Sequence, residues 1–170
     1  MSDMAKPPLI TFRSVGSKDL TRLNEIVNHP QVARFLNLIP PVSMKSTVEF
    51  YEQCKKGNAL LYAIIVNGIL AGSVCLTPRK KDGKQAHVAE FGISIDRECW
   101  GMGAGAKAID RIISEGRKRG IKRVEFEVVA GNTRALRLYR RKGFKEEGVK
   151  EKSFKINGRY HDTLVMAMLL

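Results

Sequence analysis

The chain is 170 residues long, a length that fits one domain spanning 1–170. Its hydrophobic content of 44% supports a packed core, and charges spread along the chain rather than in blocks argue against a disordered polymer. The net charge of +13 draws polyanions, so nucleic acid, the ribosome and a phosphorylated ligand stand open beside a plain basic surface.

From Arg97 onward there are 18 Lys and Arg against 9 Asp and Glu, so most of the excess lies in the second half. No apolar run approaches the roughly 20 residues of a membrane span. The opening, Met1 to Pro8, lacks the apolar core of a signal peptide and predicts a short flexible tail. Cys54, Cys75 and Cys99 form no Cys-x-x-Cys pair and no zinc-like spacing. Sparse, odd cysteines suit a reducing compartment, and cytoplasmic location is the expectation.

Leu9 to Val15, with branched and aromatic residues, predicts a first strand. Ser17 is placed to cap a helix to about Asn28, with Leu20, Leu23 and Val27 on one face. His29-Pro30 interrupts it. Ser43 or Ser46 is placed to cap a second helix through Lys56, ended by Gly57-Asn58. Ala59 to Val66 and Ile69 to Leu76 read as strands, joined by the hairpin signal Asn67-Gly68. After a basic connection from Pro78 to Lys84, His87 to Ile95 reads as a fourth strand. Gly103 to Arg119 has helical periodicity, with Ala108, Ile109, Ile112, Ile113 and Gly116 on one face. Val124 to Val129 alternates as a strand, Asn132 to Lys142 reads as a helix, and Phe144–Ile156 and Tyr160–Leu169 read as strands around Asn157-Gly158. The order βααβββαβαββ is an α+β (mixed α/β) plan.

Trp100-Gly-Met-Gly-Ala-Gly-Ala106 follows a strand and opens a helix. Its glycines let a ligand approach the backbone, and the free N–H groups and dipole of the helix N-terminus suit a pyrophosphate. A tight turn joining strand to helix is the plain alternative. A dinucleotide site is another: Glu125 and Glu127 lie roughly 20 residues on, but the spacing is Gly-x-Gly-x-Gly rather than Gly-x-Gly-x-x-Gly. Further on, Asn132 begins a helix on which Ala135 and Tyr139 share a face, and the small residue one turn before Tyr139 lets something pack closely there. A core aromatic is the plain reading of Tyr139, and a solvated face that of Arg134, Arg137, Arg140 and Arg141.

Together these segments resemble the GNAT superfamily of N-acetyltransferases, in particular its ribosomal-protein alanine and spermidine acetyltransferase branch. The family pattern Arg/Gln-x-x-Gly-x-Gly/Ala falls on Trp100, Gly103 and Gly105, with Trp100 departing from it. Asn-x-x-Ala-x-x-x-Tyr-x-x-x-Gly-Phe falls on Asn132, Ala135, Tyr139, Gly143 and Phe144, and Gly158-Arg-Tyr160-His-Asp162 is similar to the branch's tail. The resemblance implies a twisted mixed sheet of about seven strands with about four helices, splayed between strands 4 and 5. It implies acetyl-CoA as co-substrate, held by Ile93, Ile95, Gly101, Met102, Gly103, Ala104, Gly105, Ala106, Lys107, Asn132 and Tyr139. A homodimer is left open.

The chemistry implied is direct attack of a neutral amine on the thioester, with both substrates bound. Glu90 is the candidate to take the amine proton, with His87 and His161 as alternatives. A backbone N–H of the fourth strand is the candidate oxyanion donor. Tyr139 is the candidate acid for the departing thiolate. The route requires no metal and no covalent enzyme intermediate. The acceptor pocket is expected from residues 17–56 and the tail hairpin, with a protein N-terminus, a polyamine, an amino acid or another small amine open as acceptor. A non-catalytic CoA- or RNA-binding module is the reading of another class; aromatics at 7% offer no stacking platform for it.

Overall fold

The computed structural model describes residues 6–170. The first five residues of the expected tail therefore lie outside the described residues. β1 (Ile10–Ser14) is one residue shorter at each end than the sequence predicts. A 3-10 turn over Ser17–Asp19 then leads into α1 (Leu20–Asn28). Asp19, not Ser17, organises this start. Its carboxylate accepts the Gly16 N–H at 2.8 Å and the Arg13 guanidinium at 2.6 and 2.8 Å.

His29-Pro30 ends α1 as expected, but a one-turn helix, α2 (Pro30–Ala33), restarts at once. Proline suits a first helical position because its fixed φ is already helical, and His29 accepts the Gln31 N–H at 3.3 Å. Among the described residues there are thus five α-helices where about four were expected. α3 (Met44–Lys56) is capped by Ser43, which accepts the Ser46 N–H at 3.1 Å. β2 (Leu60–Val66) and β3 (Ile69–Pro78) form the expected hairpin, with both Asn67 and Gly68 at positive φ. β4 (Val88–Ile95), α4 (Ala104–Lys118), β5 (Arg123–Val129), α5 (Thr133–Arg141), β6 (Lys145–Ile156) and β7 (Arg159–Leu169) complete the order.

The seven strands form one sheet in the order β1-β2-β3-β4-β5-β7-β6. Among the described strands only β4 and β5 run parallel, and they pair where Val88–Glu90 faces Arg123–Glu125. Beyond Glu90, β4 continues through Ile95 still paired to β3 but no longer to β5. This is the implied splay, and it opens a V in the middle of the sheet.

Alternation along the strands sorts side chains between two cores. From β2, Leu60, Ile64 and Val66 pack with the fully buried Ile109 and Ile112 of α4, while Ala63 packs with Leu20, Leu23 and Ile26 of α1. Each fully buried Ile contributes about 1.5–3 kcal/mol of transfer free energy. The helices are thereby fixed against the sheet, α4 and α5 on one face and α1 to α3 on the other.

Candidate active site

The strand-to-helix junction after β4 is built by glycine. Gly101 (φ 81) and Gly103 (φ 83) occupy the left-handed region, and a Cβ on either would meet nothing within 4 Å. Backbone conformation and open space, not packing, require glycine there. Gly103 caps α4. Its carbonyl accepts the Lys107 N–H at 3.2 Å, which leaves the N–H groups of Ala104, Gly105 and Ala106 without an intrahelical acceptor. Gly105 has a different reason: a Cβ there would lie 2.9 Å from Leu138 Cδ2, so α4 and α5 approach closely at this point.

A cleft of about 620 Å³ runs through the V over this junction. The structure brings Ile93, Ile95, Gly101, Gly103, Ala104, Gly105, Ala106, Asn132 and Tyr139 to its walls. Met102 and Lys107 do not line it; both are exposed. Residues outside the sequence-derived set line it too, among them Trp100, Arg134 and Arg141. The Trp100 ring is held by its Nε1–H, which donates to the Ile95 carbonyl at 2.9 Å, and the Arg134 guanidinium lies 3.7 Å from the ring centroid. The signal for the arginines was their spacing. Residues 134 and 141 are two helical turns apart, on the same side as the cleft-lining Ala135 and Leu138.

β4 supplies a free backbone edge. In an antiparallel pair, alternate residues turn both N–H and C=O toward the partner. Arg79 N–H bonds the Val88 carbonyl, and Asp96 N–H bonds the Ala71 carbonyl, so the even-numbered residues of β4 face β3. Phe91, Ile93 and Ile95 therefore turn their backbone groups into the V, where β5 has departed. An extended amide-bearing arm fits such an edge, as an added strand would.

Tyr139 sits at the cleft floor, 7% exposed. It packs edge-on against Phe126 at 4.6 Å between centroids and lies 6.0 Å from both Phe91 and Phe144. Burial alone pushes its hydroxyl well above the ordinary tyrosine range. The phenol thus stays protonated at every pH near neutrality. Asn132, at the start of α5, accepts the Ala135 N–H at 3.3 Å.

A second cleft of about 520 Å³ lies between α1, α3 and the opposite face of β3 and β4. It shares Leu36, Asn37 and the run Phe91–Ser94 with the first, so the two open onto one stretch of β4 from either side. Glu90 lines it, and its carboxylate is 2.8 Å from Arg79, which also holds Glu125 at 3.0 Å. Cys75 lines it too, with its sulfur 3.9 Å from that of Cys54. The β6–β7 hairpin, expected beside residues 17–56 in the acceptor pocket, does not line this cleft; its Lys150, Phe154 and Val165 line a third cleft, which Glu90 also lines. His87 lies on the exposed connection before β4, and His161 is half-buried on β7; neither lines any of the three clefts.

The residues present fit a coenzyme A molecule. The helix N-terminus with open space before it suits a pyrophosphate, Arg134 and Arg141 add positive charge beside it, and the free edge of β4 suits the pantetheine amides. Among the described residues no helix is long and apolar enough to cross a membrane.

Comparison with known proteins gives the same picture. Residues 23–144 match the Acetyltransferase (GNAT) family. The chain is 30% identical over 160 residues to the L-amino acid N-acetyltransferase AaaT of Escherichia coli, covering 93% of this chain and 96% of that one. Its fold matches the ribosomal-protein-alanine N-acetyltransferase of Brucella melitensis with a TM-score of 0.84 at 22% identity, over 94% of this chain and 99% of that one. It matches the spermidine N-acetyltransferase of Vibrio cholerae, solved with CoA and spermine, with a TM-score of 0.84 at 26% identity, over 94% and 95%. With its sheet splayed at a glycine-capped helix and its sequence matched over that whole region, this chain belongs to the GNAT acetyltransferase family and is an acyl-CoA-dependent N-acetyltransferase.

Proposed function

We propose that the enzyme acetylates a small primary amine that enters by the second cleft, while acetyl-CoA occupies the first. The observation that carries this reading is the shared wall, Phe91–Ser94, which puts the two clefts on opposite sides of one strand. Two substrates reaching that strand from opposite faces meet in the V without displacing one another.

Ala104, Gly105 and Ala106 donate their free N–H groups to the pyrophosphate, and Arg134 and Arg141 supply charge beside it. Phe91, Ile93 and Ile95 bind the pantetheine arm through their backbone, and one of their N–H groups faces the charge that develops on the thioester oxygen. An alkylammonium must lose a proton before it attacks. Glu90, on the acceptor side and oriented by Arg79, receives it directly or through water and passes it to solvent. The nitrogen–carbon bond then forms as the carbon–sulfur bond breaks. Tyr139 gives its hydroxyl proton to the sulfur and is restored by the proton the nitrogen sheds. The net products are the amide, the free thiol and one proton.

Relatives act on an L-amino acid, on spermidine and on a ribosomal-protein alanine, as their names state. The second cleft, at about 520 Å³, has the volume of a small-molecule site, which favours a small amine over a protein N-terminus. The test is initial-rate kinetics with both substrates varied. Intersecting double-reciprocal lines with no acetylated protein by mass spectrometry support direct transfer. Parallel lines with a trapped acetyl-enzyme overturn it.

A further inference from the structure

The second cleft, on the acceptor reading above, has an unusual charge inventory. Its described lining includes Leu20, Leu23, Val27, Leu61, Phe50 and Tyr51, and among the described lining residues there is no Lys, Arg or His and one carboxylate, Glu90. The remaining polar groups are largely occupied. Asn24, beneath the pocket, donates to Thr47 Oγ1 at 2.8 Å and to the Val42 carbonyl at 2.9 Å, and the Ser73 and Ser94 hydroxyls stand 3.5 Å apart. The apolar lining reaches the surface at Leu38 and Phe50, both exposed.

We infer that the acceptor is a lipophilic monoamine: one primary amino group on an alkyl or arylalkyl body, with no carboxylate and no second ammonium. The argument is electrostatic. A charge moved from water into an apolar pocket is costly unless a partner meets it. An amino acid would bring a carboxylate into a pocket that offers no cation. A polyamine would bring two or three ammonium groups to a single carboxylate already shared with Arg79. A monoamine brings one, next to Glu90, and its apolar body covers the α1 and α3 side chains at about 25 cal/mol per Å². The volume of about 520 Å³ is that of a small-molecule site.

The inference rests on the second cleft being the acceptor site, and one assay separates the two. Acetyl-CoA turnover is followed by thiol release with 2-phenylethylamine, hexylamine, L-phenylalanine, spermidine and a peptide beginning with alanine. The expected result is kcat/KM for the two monoamines at least tenfold above all others. L-Phenylalanine against 2-phenylethylamine is the sharpest pair, since they differ only by the carboxylate. Phe50→Glu, an exposed change at the mouth, is expected to lower kcat/KM for 2-phenylethylamine at least fivefold, to raise that for spermidine, and to leave the thermal shift given by CoA unchanged. Turnover highest with spermidine, the amino acid or the peptide overturns the inference while the acetyltransferase reading stands, as does failure of both monoamines. Monoamine preference that Phe50→Glu leaves untouched places the acceptor elsewhere and overturns the cleft assignment itself.

Discussion

Arg134 lays its guanidinium 3.7 Å from the centre of the Trp100 ring, and the ring is pinned in turn to the Ile95 carbonyl at 2.9 Å. A cation on the second motif is thus fixed against an aromatic from the first, and both line the first cleft. Such contacts are worth about 0.5–1 kcal/mol when partly exposed. Arg134→Ala is expected to raise the KM for acetyl-CoA about three- to tenfold with kcat nearly unchanged, because the group binds ground and transition states alike. Raising salt is expected to weaken acetyl-CoA binding by the parent more than by the variant. Equal salt slopes would separate Arg134 from the phosphates.

Gly103→Glu forces a side chain into the left-handed region at φ 83 and adds negative charge at the start of α4. CoA is expected to give no thermal shift with this variant while circular dichroism stays that of the parent. A parental shift would move the pyrophosphate away from this helix.

Tyr139→Phe keeps the ring that packs against Phe126 at 4.6 Å, so the fold is expected to survive. Loss of one proton donor predicts a fall in kcat of about 10- to 10³-fold with CoA affinity little changed. Because burial raises the Tyr139 pKa, the parent is expected to show no loss of its acid up to the ordinary tyrosine value of about 10. An acyl donor with a more acidic thiol is expected to narrow the gap between variant and parent. Parental kcat in the variant would leave Tyr139 a packing residue.

Glu90→Gln is expected to retain CoA binding and to lose turnover mainly at neutral pH, where the amine is protonated. At high pH the amine is already neutral, so the variant is expected to approach the parent. A rate ratio constant across the profile would exclude Glu90 from the proton route.

Asp19 ties β1 to the start of α1, and the Arg13 guanidinium holds its carboxyl below the usual range. A depressed folded-state pKa contributes stability above the unfolded value near 4 that is lost as pH falls through the folded value. Asp19→Asn is expected to lower stability by about 1–3 kcal/mol at neutral pH, since Arg13 is partly exposed and screened. The difference in melting temperature from the parent is expected to shrink below about pH 4. A constant difference would show that the ion pair contributes nothing.

Most element positions were legible in the sequence because they rest on local physics. Asn67-Gly68 set a hairpin, Ser43 capped α3, and the period of Ala108, Ile109, Ile112 and Ile113 set the buried face of α4. The glycine loop was legible too, because positive φ at Gly101 and Gly103 is a property of the residue itself. The start of α1 was misread at Ser17 because Asp19 competes for the same turn through Arg13, a contact set by β1. α2 was missed because a single turn carries too little periodicity to register. Other features were decided only by the tertiary structure. β5 leaves β4 after Glu90, which opens the V and turns Phe91, Ile93 and Ile95 into it. Arg134 and Arg141, which read as a solvated face, line the cleft because α5 packs against α4 at Gly105. The tail hairpin lines the third cleft and not the second, because β6 lies at the sheet edge beyond β7. Sequence reports what each residue does to its own few neighbours along the chain, whereas these features arise between segments tens of residues apart, where only packing chooses the partner.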